Sequence, residues 1–363
     1  DEMRKLVFTM SILAFYMGAC SSEVSFSPAD PERDAAESAR QNYALDNKKD
    51  VKLVNQVVLV PQTPNAVDIL FVIDNSESMD YPITLLSNKF SNFIDSLSGL
   101  DWQICVTTTD ITNKYGDIIN DGRLYSFSNG QLWINSNTKN AENLFLSLLA
   151  HLPDGSGDER GIFAINRAIQ RNEGCFRQNA SLNTVLLSDE DERSLGGNIK
   201  YNNPADDPDK QFKELEPLDF SDSVLATLKS MGLSGKKYTH HSIIIRPGDN
   251  DCLAEQKVSY AFAGTHSALL TNKTNGVLGN ICAAEYGEQL NFMGENIQDA
   301  VASVDLECEP YNMAGSRIIN ADQIIQDMTT ELVTTQTLTG STIKFSPELP
   351  AGASIYLKYY CLL

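Results

Sequence analysis

Three observations predict an α/β protein, with a mainly parallel sheet flanked by helices and a small C-terminal β module. Short runs rich in apolar and β-branched residues, such as Ile69 to Ile73 and Asn183 to Leu187, have the length of strands buried on both faces. Between such runs, apolar residues recur at three- and four-residue steps, the period of helices packed by one face. Strands alternating with helices specify parallel pairing. From Leu306 onward the texture changes to short alternating runs joined by Gly and Pro turns.

Length and charge narrow the class. The 363 residues suffice for one large domain and a small one. A formal charge of −20 argues against a nucleic-acid partner, which needs basic surface. If translation starts at Met3, Arg4-Lys5 is a basic start and Leu6 to Tyr16 the apolar core of a secretion signal, too short to anchor across a bilayer. Asp1-Glu2 do not fit such a start. The segment ends Met17-Gly18-Ala19-Cys20-Ser21-Ser22, which resembles the bacterial lipoprotein cleavage box with Met17 in place of the usual Leu. That resemblance implies a signal peptide over residues 3–20, lipidation at Cys20 and a membrane anchor. Ser21 beside the Cys, rather than Asp, implies outer-membrane sorting in a Gram-negative cell, facing the cell surface or the periplasm. An ordinary signal peptide cut near Ala19 is the alternative. Residues 21–50, rich in Ser, Ala, Asp and Glu, read as a flexible tether.

The predicted elements then follow in order. Val51 to Val60 is strand-like and stops at Pro61; it leads the folded part and is also a candidate member of the β module. Ile69 to Ile73 is the first buried strand, and it ends abruptly in Asp74-Asn75-Ser76-Glu77-Ser78. Ile83, Leu86, Phe90, Phe93, Ile94 and Leu97 mark an amphipathic helix. Trp102 to Thr109 is the next strand. Arg123 to Phe127 and Gln131 to Ile134, split by Ser128-Asn129-Gly130, read as a hairpin. Asn120-Asp121-Gly122 lacks the alternating acids and distal Glu of a calcium loop. Asn143 to Leu152 is helical, and Asp154 to Gly161 leads into a helix carrying Ile162, Ile165 and Ile169 on one face. Asn183 to Leu187 ends in Ser188-Asp189-Glu190-Asp191-Glu192. Arg193 to Asp219 is a long polar loop leaving the same sheet edge, placed to decide which partner fits or to act as a spacer. Val224 to Met231 is a helix, His240 to Ile245 a strand, Lys257 to Leu270 a helix, Gly276 to Cys282 a short edge strand and Gly287 to Val304 the last helix. Residues 51–305 thus form the large domain. In the module at 306–363, strands fall at Ser316 to Asn320, Thr330 to Leu338, Ser341 to Phe345 and Ala353 to Cys361.

The chemistry concentrates after the first buried strand. Asp74, Ser76 and Ser78 put three oxygen side chains at alternate positions just past its carboxyl end, where open α/β sheets bind ligands. One carboxylate and two hydroxyls suit a hard divalent cation such as Mg²⁺. The bland alternative is that they end the strand and cap the next helix. Met79 is expected to begin helix packing and Glu77 to face solvent.

This Asp-x-Ser-x-Ser resembles the metal-ion-dependent adhesion site of the von Willebrand factor A domain family, over roughly Ala66 to Val304. The resemblance implies a doubly wound sheet flanked by helices. It also implies a cation, Mg²⁺ foremost with Mn²⁺ or Ca²⁺ as alternatives, that accepts a further oxygen from a protein partner's Asp or Glu. Asp189 aligns with the family's last metal-site carboxylate. Where members place a metal-binding Thr, before the helix at Ile162, this chain has none. Ser156, Asp158 or Glu159 stands in its place, Glu159 being favoured; its alternative role is a charge stabilising the helix dipole. Six cysteines besides Cys20 suggest disulfides in an exported chain. Proximity expected from the fold pairs Cys105 with Cys175, Cys252 with Cys282, and Cys308 with Cys361.

Enzyme chemistry is sparse. Of four histidines, His240 and His241 are adjacent in a strand and face opposite sides, while His151 and His266 stand alone. No Gly-x-Ser-x-Gly elbow or phosphate loop occurs. A Mg²⁺-dependent phosphotransferase of the haloacid dehalogenase type also places an Asp at its first strand end, but there Ser76 would stand where the general acid belongs. The expectation is therefore a non-enzymatic, cation-dependent binding protein, serving adhesion or scaffolding of an envelope complex. A structural metal, with binding by the C-terminal module, is the remaining alternative.

Overall fold

The structure, a computed structural model, describes residues 51–362 apart from 60–64, 112–119, 156, 200–212, 234–235, 257–260, 302, 311, 314–315, 318–319, 325–334, 340 and 347–353. The expected signal segment with Cys20, the tether, Ser156 and the middle of the long polar loop lie outside the described residues.

The first described strand, β1 (Val51–Leu59), pairs in the C-terminal part. A six-stranded sheet is then built from β2 (Ala66–Ile73), β3 (Asp101–Thr108), β4 (Ile134–Asn135), β5 (Ser181–Ser188), β6 (Tyr238–Ile244) and β7 (Leu278–Asn280), in the order β4-β3-β2-β5-β6-β7. All neighbours are parallel except β4, which runs antiparallel to β3. The helices are α1 (Asp80–Ser96), α2 (Ala141–Leu149), α3 (Gly161–Arg171), α4 (Ser221–Ser230), α5 (Asn250–Gln256), α6 (Thr265–Lys273) and α7 (Gly287–Val301).

The central strand explains the two layers. Side chains alternate across a strand, so Ile69, Phe71 and Ile73 enter one core while Leu70 and Val72 enter the other. Phe71 meets Phe90 and Phe93 of α1 and Phe145 of α2 edge-on, with ring centroids 5.0–5.9 Å apart, a favourable aromatic geometry. Leu290, Met293 and Ile297 of α7 complete that layer. On the opposite face Ile162, Ile165 and Ile169 of α3 pack with Val224 and Leu228 of α4. Helices on both faces make the sheet doubly wound. Among the described residues no helix is long and apolar enough to cross a membrane.

The C-terminal strands are β8 (Ser303–Asp305), β9 (Asn312–Met313), β10 (Ser316–Arg317), β11 (Asn320–Ile324), β12 (Thr335–Thr339), β13 (Thr342–Ser346) and β14 (Ser354–Leu362). They form small antiparallel sheets, β1-β14-β11 and β12-β13-β8, with β9 paired to β10. Leu357, Tyr359 and Cys361 alternate inward onto Val54, Ile343 and Phe345. Disulfides join Cys105 to Cys175, Cys252 to Cys282 and Cys308 to Cys361, the expected pairs.

Several elements differ from expectation, among them the helix Asn250–Gln256, which the sequence pattern did not predict. The hairpin over Arg123 to Ile134 is reduced to a turn and the short β4. There the Tyr125 N–H goes to Val106 O and the Leu124 N–H to Glu173, leaving no ladder to build. Of the helix expected from Lys257 to Leu270, residues 257–260 lie outside the described residues. Residues 261–264 are not helical, because the N–H groups of Phe262 and Gly264 are bonded to Asp189 O and Ile245 O beyond the strand ends; the described helix runs from Thr265 to Lys273. The last helix ends at Val301, and Ser303 to Asp305 pairs with β13 instead.

Candidate metal centre

β2 and β5 lie side by side at the point where the chain's path reverses across the sheet, and ligand crevices open at such points. The Asp74 N–H donates to Leu187 O at 2.9 Å, so the two strands leave the sheet in register. Asp74 Oδ1 then accepts the Ser76 N–H at 2.9 Å, which turns the chain back. A short 3₁₀ turn over Glu77–Met79 follows, with the Met79 N–H on Ser76 O. Met79 is fully buried and pulls this turn onto the core, while Glu77 stays exposed. The hydroxyls of Ser76 and Ser78 therefore share one side: they are 3.0 Å apart, and Ser78 Oγ donates to Asp189 Oδ1 at 3.1 Å.

Four of the five expected ligand residues, Asp74, Ser76, Ser78 and Asp189, are thus joined in one hydrogen-bonded group. Asp74 and Asp189 are fully buried, and neither has an ion-pair partner among the described residues. Burial pushes the Asp189 carboxyl up to about 7, and the charge of Asp74 pushes the same way against the Ser78 hydrogen bond. Burial likewise raises Asp74, opposed by hydrogen bonds from Ser188 and Ser76. Asp189 Oδ2 is buried with no hydrogen-bond partner. Hard oxygens, buried negative charge and an unserved carboxylate oxygen fit a hard divalent cation. Among the described residues no three His, Cys, Asp or Glu groups gather at ligating distance. Such an ion would draw on two carboxylates, two hydroxyls and water, a set that suits Mg²⁺.

The fifth residue, Glu159, stands apart from this group. It is fully buried, its Oε2 accepts the Thr109 hydroxyl, and its backbone bridges to Asp110 at the end of β3. Burial first, then the charge of Asp74, hold it well above the usual carboxylate range. It therefore adjoins the cation group through Asp74 without a hydrogen bond to Ser76, Ser78 or Asp189.

Surrounding contacts fix the site's borders. Asn75 donates to Pro153 O at 2.7 Å and accepts the Gly155 N–H on its carbonyl at 2.9 Å, pinning the loop before α3. A side chain at Gly155 would meet Asn75 Oδ1 at 2.9 Å, so only glycine fits that approach. Buried Arg160 forms a two-pronged pair with Asp219 at 2.9 Å, and Arg193 reaches Asp158 at 2.7 Å as well as Glu216. These pairs tie both described ends of the long polar loop to the residues flanking Glu159. Ser188, which donates to Asp74, and Thr109, which donates to Glu159, are the supporting groups that motif reading passed over. Their only sequence signal was a hydroxyl at the end of a buried strand.

Fold and centre together define an α/β protein with a candidate cation site at its topological switch point. No protein-family model and no curated protein matches the sequence. Among solved structures the chain is similar to the pilus adhesin SpaC from Lactobacillus rhamnosus GG, with 11% identity and a TM-score of 0.36, over 85% of this chain and 40% of the adhesin. It is similar to proximal thread matrix protein 1 from the mussel byssus, with 14% identity and a TM-score of 0.32, over 69% of this chain and 50% of that one. It is also similar to an aerotolerance-related membrane protein from Bacteroides fragilis NCTC 9343, with 15% identity and a TM-score of 0.34, over 64% of this chain and 99% of that one. The chain thus spans about two fifths of the adhesin's length and half of the thread protein's.

Proposed function

We propose that the chain is an exported binding protein of the von Willebrand factor A type that engages an acidic side chain of a protein partner through a divalent cation. The observation that carries this reading is the hydrogen-bonded group of Ser76, Ser78 and Asp189, with Asp189 Oδ2 unserved, beside the buried Asp74. Asp74, Ser76, Ser78 and Asp189 would hold the ion, directly or through water, and Asp74 Oδ1 would also orient Ser76 through its backbone N–H. When bound, the cation supplies a compact positive charge with an open position for the partner's carboxylate. Glu77 is exposed beside the two serines and stays outside the donor set. Cys20 is the proposed lipid anchor, placing the binding domain outside the cytoplasm on the cell surface or in the periplasm. Protease treatment of intact cells separates adhesion from scaffolding within the envelope, since only a surface-exposed site serves adhesion.

The test is calorimetry on the full chain with Mg²⁺, Mn²⁺ and Ca²⁺, comparing the wild type with Asp74→Ala. Saturable binding lost in a folded variant supports the reading. A wild type that takes up no cation at about millimolar concentration ends it.

A further inference from the structure

Beside Ser188, the hydroxyl donor to Asp74, lies a cavity of about 10 Å³, the room that one water or one ion fills. Its polar lining includes Thr109, Glu159, Ser188, Glu192 and Ser267. Glu159 and Glu192 are 1% and 3% exposed, which places both carboxylates inside the protein. Each uses one oxygen in the fold. Glu159 Oε2 accepts the Thr109 hydroxyl, and Glu192 Oε1 accepts the Ile162 N–H at the start of α3. The second oxygen of each, Glu159 Oε1 and Glu192 Oε2, is buried with no hydrogen-bond partner. Nothing in the packing alone accounts for two unserved carboxylate oxygens on one small cavity.

The direction of the hydroxyl protons decides what fits there. Thr109 gives its proton to Glu159, and Ser188 gives its proton to Asp74 Oδ2. Ser188 Oγ also accepts the Glu190 N–H at 3.0 Å, so both hydroxyls have only lone pairs left to offer, Ser188 a single one. A cavity walled by such acceptors disfavours an anion. A water would satisfy the two carboxylate oxygens but gain no proton from either hydroxyl for its own lone pairs. A cation is served by all four of these groups at once.

We propose that this cavity is a second divalent-cation site, with Glu159 and Glu192 as carboxylate ligands and the hydroxyls of Thr109 and Ser188 as neutral ones. Its size leaves no space for the several waters that Mg²⁺ retains, so an ion there would draw its oxygens from the protein itself. Glu159 then belongs to this site, and Ser188 links it to Asp74. The inference is independent of the partner-binding reading above.

Mn²⁺ alone is the probe, counted per chain by equilibrium dialysis on the full chain, with circular dichroism to confirm folding. The wild type is expected to hold about two ions, and Glu192→Gln and Asp74→Ala about one each. The glutamine amide of Glu192→Gln keeps an oxygen for the Ile162 N–H, which preserves the helix start. A single wild-type ion that survives Glu192→Gln and is lost in Asp74→Ala overturns the second site and leaves the partner-binding reading intact. A single ion with the opposite dependence supports the second site and overturns that reading. Should Glu192→Gln fail to fold, the wild-type electron spin resonance spectrum decides: saturating Mn²⁺ must show the broadening of a close ion pair, and an isolated-ion spectrum overturns the proposal.

Discussion

Ser188 donates its hydroxyl to Asp74 Oδ2 at 2.6 Å, joining the ends of two neighbouring strands across 114 residues of sequence. With the Ser76 N–H on Oδ1, both oxygens of the buried carboxylate are held. Ser188→Ala removes one of those donors and frees Asp74 to turn. The expected result is a stability loss of about 1–2 kcal/mol by urea unfolding, with Mn²⁺ affinity weakened roughly tenfold by calorimetry. Unchanged affinity would remove Ser188 from the cation's support.

Ser78 stands between Ser76 and Asp189, so its hydroxyl has no substitute. Ser78→Ala is expected to weaken Mn²⁺ binding at least about tenfold while stability by urea unfolding changes by less than about 1 kcal/mol. Glu77→Ala, one residue away and exposed, is the control and should leave both quantities unchanged within error. Equal effects of the two substitutions would mean that loop charge, rather than ligand geometry, governs binding.

His240 and His241 give the fold an acid dependence. Burial lowers both from 6.5 to about 3, so the native state keeps both neutral. Val277 N–H donates to His241 Nδ1, while His240 lies between Thr184 and Ser267. The unfolded chain takes up these protons below its ordinary histidine pKa and the native chain does not. Their stability contribution is therefore complete above about pH 6.5 and falls as pH drops toward about 3, by up to about 1.4 kcal/mol per pH unit for each. Denaturant titrations at about pH 7 and pH 5 check this. His241→Asn should be less stable at neutral pH yet lose roughly half as much on acidification. An equal loss in the variant would assign the acid sensitivity to carboxylates.

The Cys105–Cys175 bridge closes a span of 70 residues that contains α2 and α3. Chain-entropy arguments give such a loop about 4 kcal/mol. Cys105→Ser combined with Cys175→Ser is expected to lower stability by that amount, and reductant should destabilise the wild type but leave this pair of substitutions less affected. A shift below about 1 kcal/mol would show that the unfolded chain is already compact around this span.

What was legible in the sequence follows from period and position. Ile69 to Ile73 is apolar on both sides of its pleat, which only a doubly covered strand explains, and the structure buries all of it. Asp74, Ser76, Ser78 and Asp189 were readable because each lies just past the end of a buried strand. Glu159 was placed near the centre, but its meeting Thr109 rather than Ser76 or Ser78 depends on how α3 approaches β5. That approach is set by Gly161, where a side chain would meet Leu186 at 2.8 Å, a long-range contact that local pattern does not encode. The helix expected from Lys257 failed for a related reason. Its would-be backbone donors at Phe262 and Gly264 are claimed by carbonyls at strand ends.

The pairing of β1 with β14 runs antiparallel without interruption from Val51 opposite Leu362 to Leu59 opposite Ser354. Cys361, within β14, is covalently joined to Cys308. β1 is also the segment through which the backbone enters β2 and hence Asp74. Tension arriving from residues before Val51 acts along β1 and loads this ladder in shear, with its hydrogen bonds sharing the force rather than opening one after another. Part of the pull is thereby diverted into β14 and its disulfide.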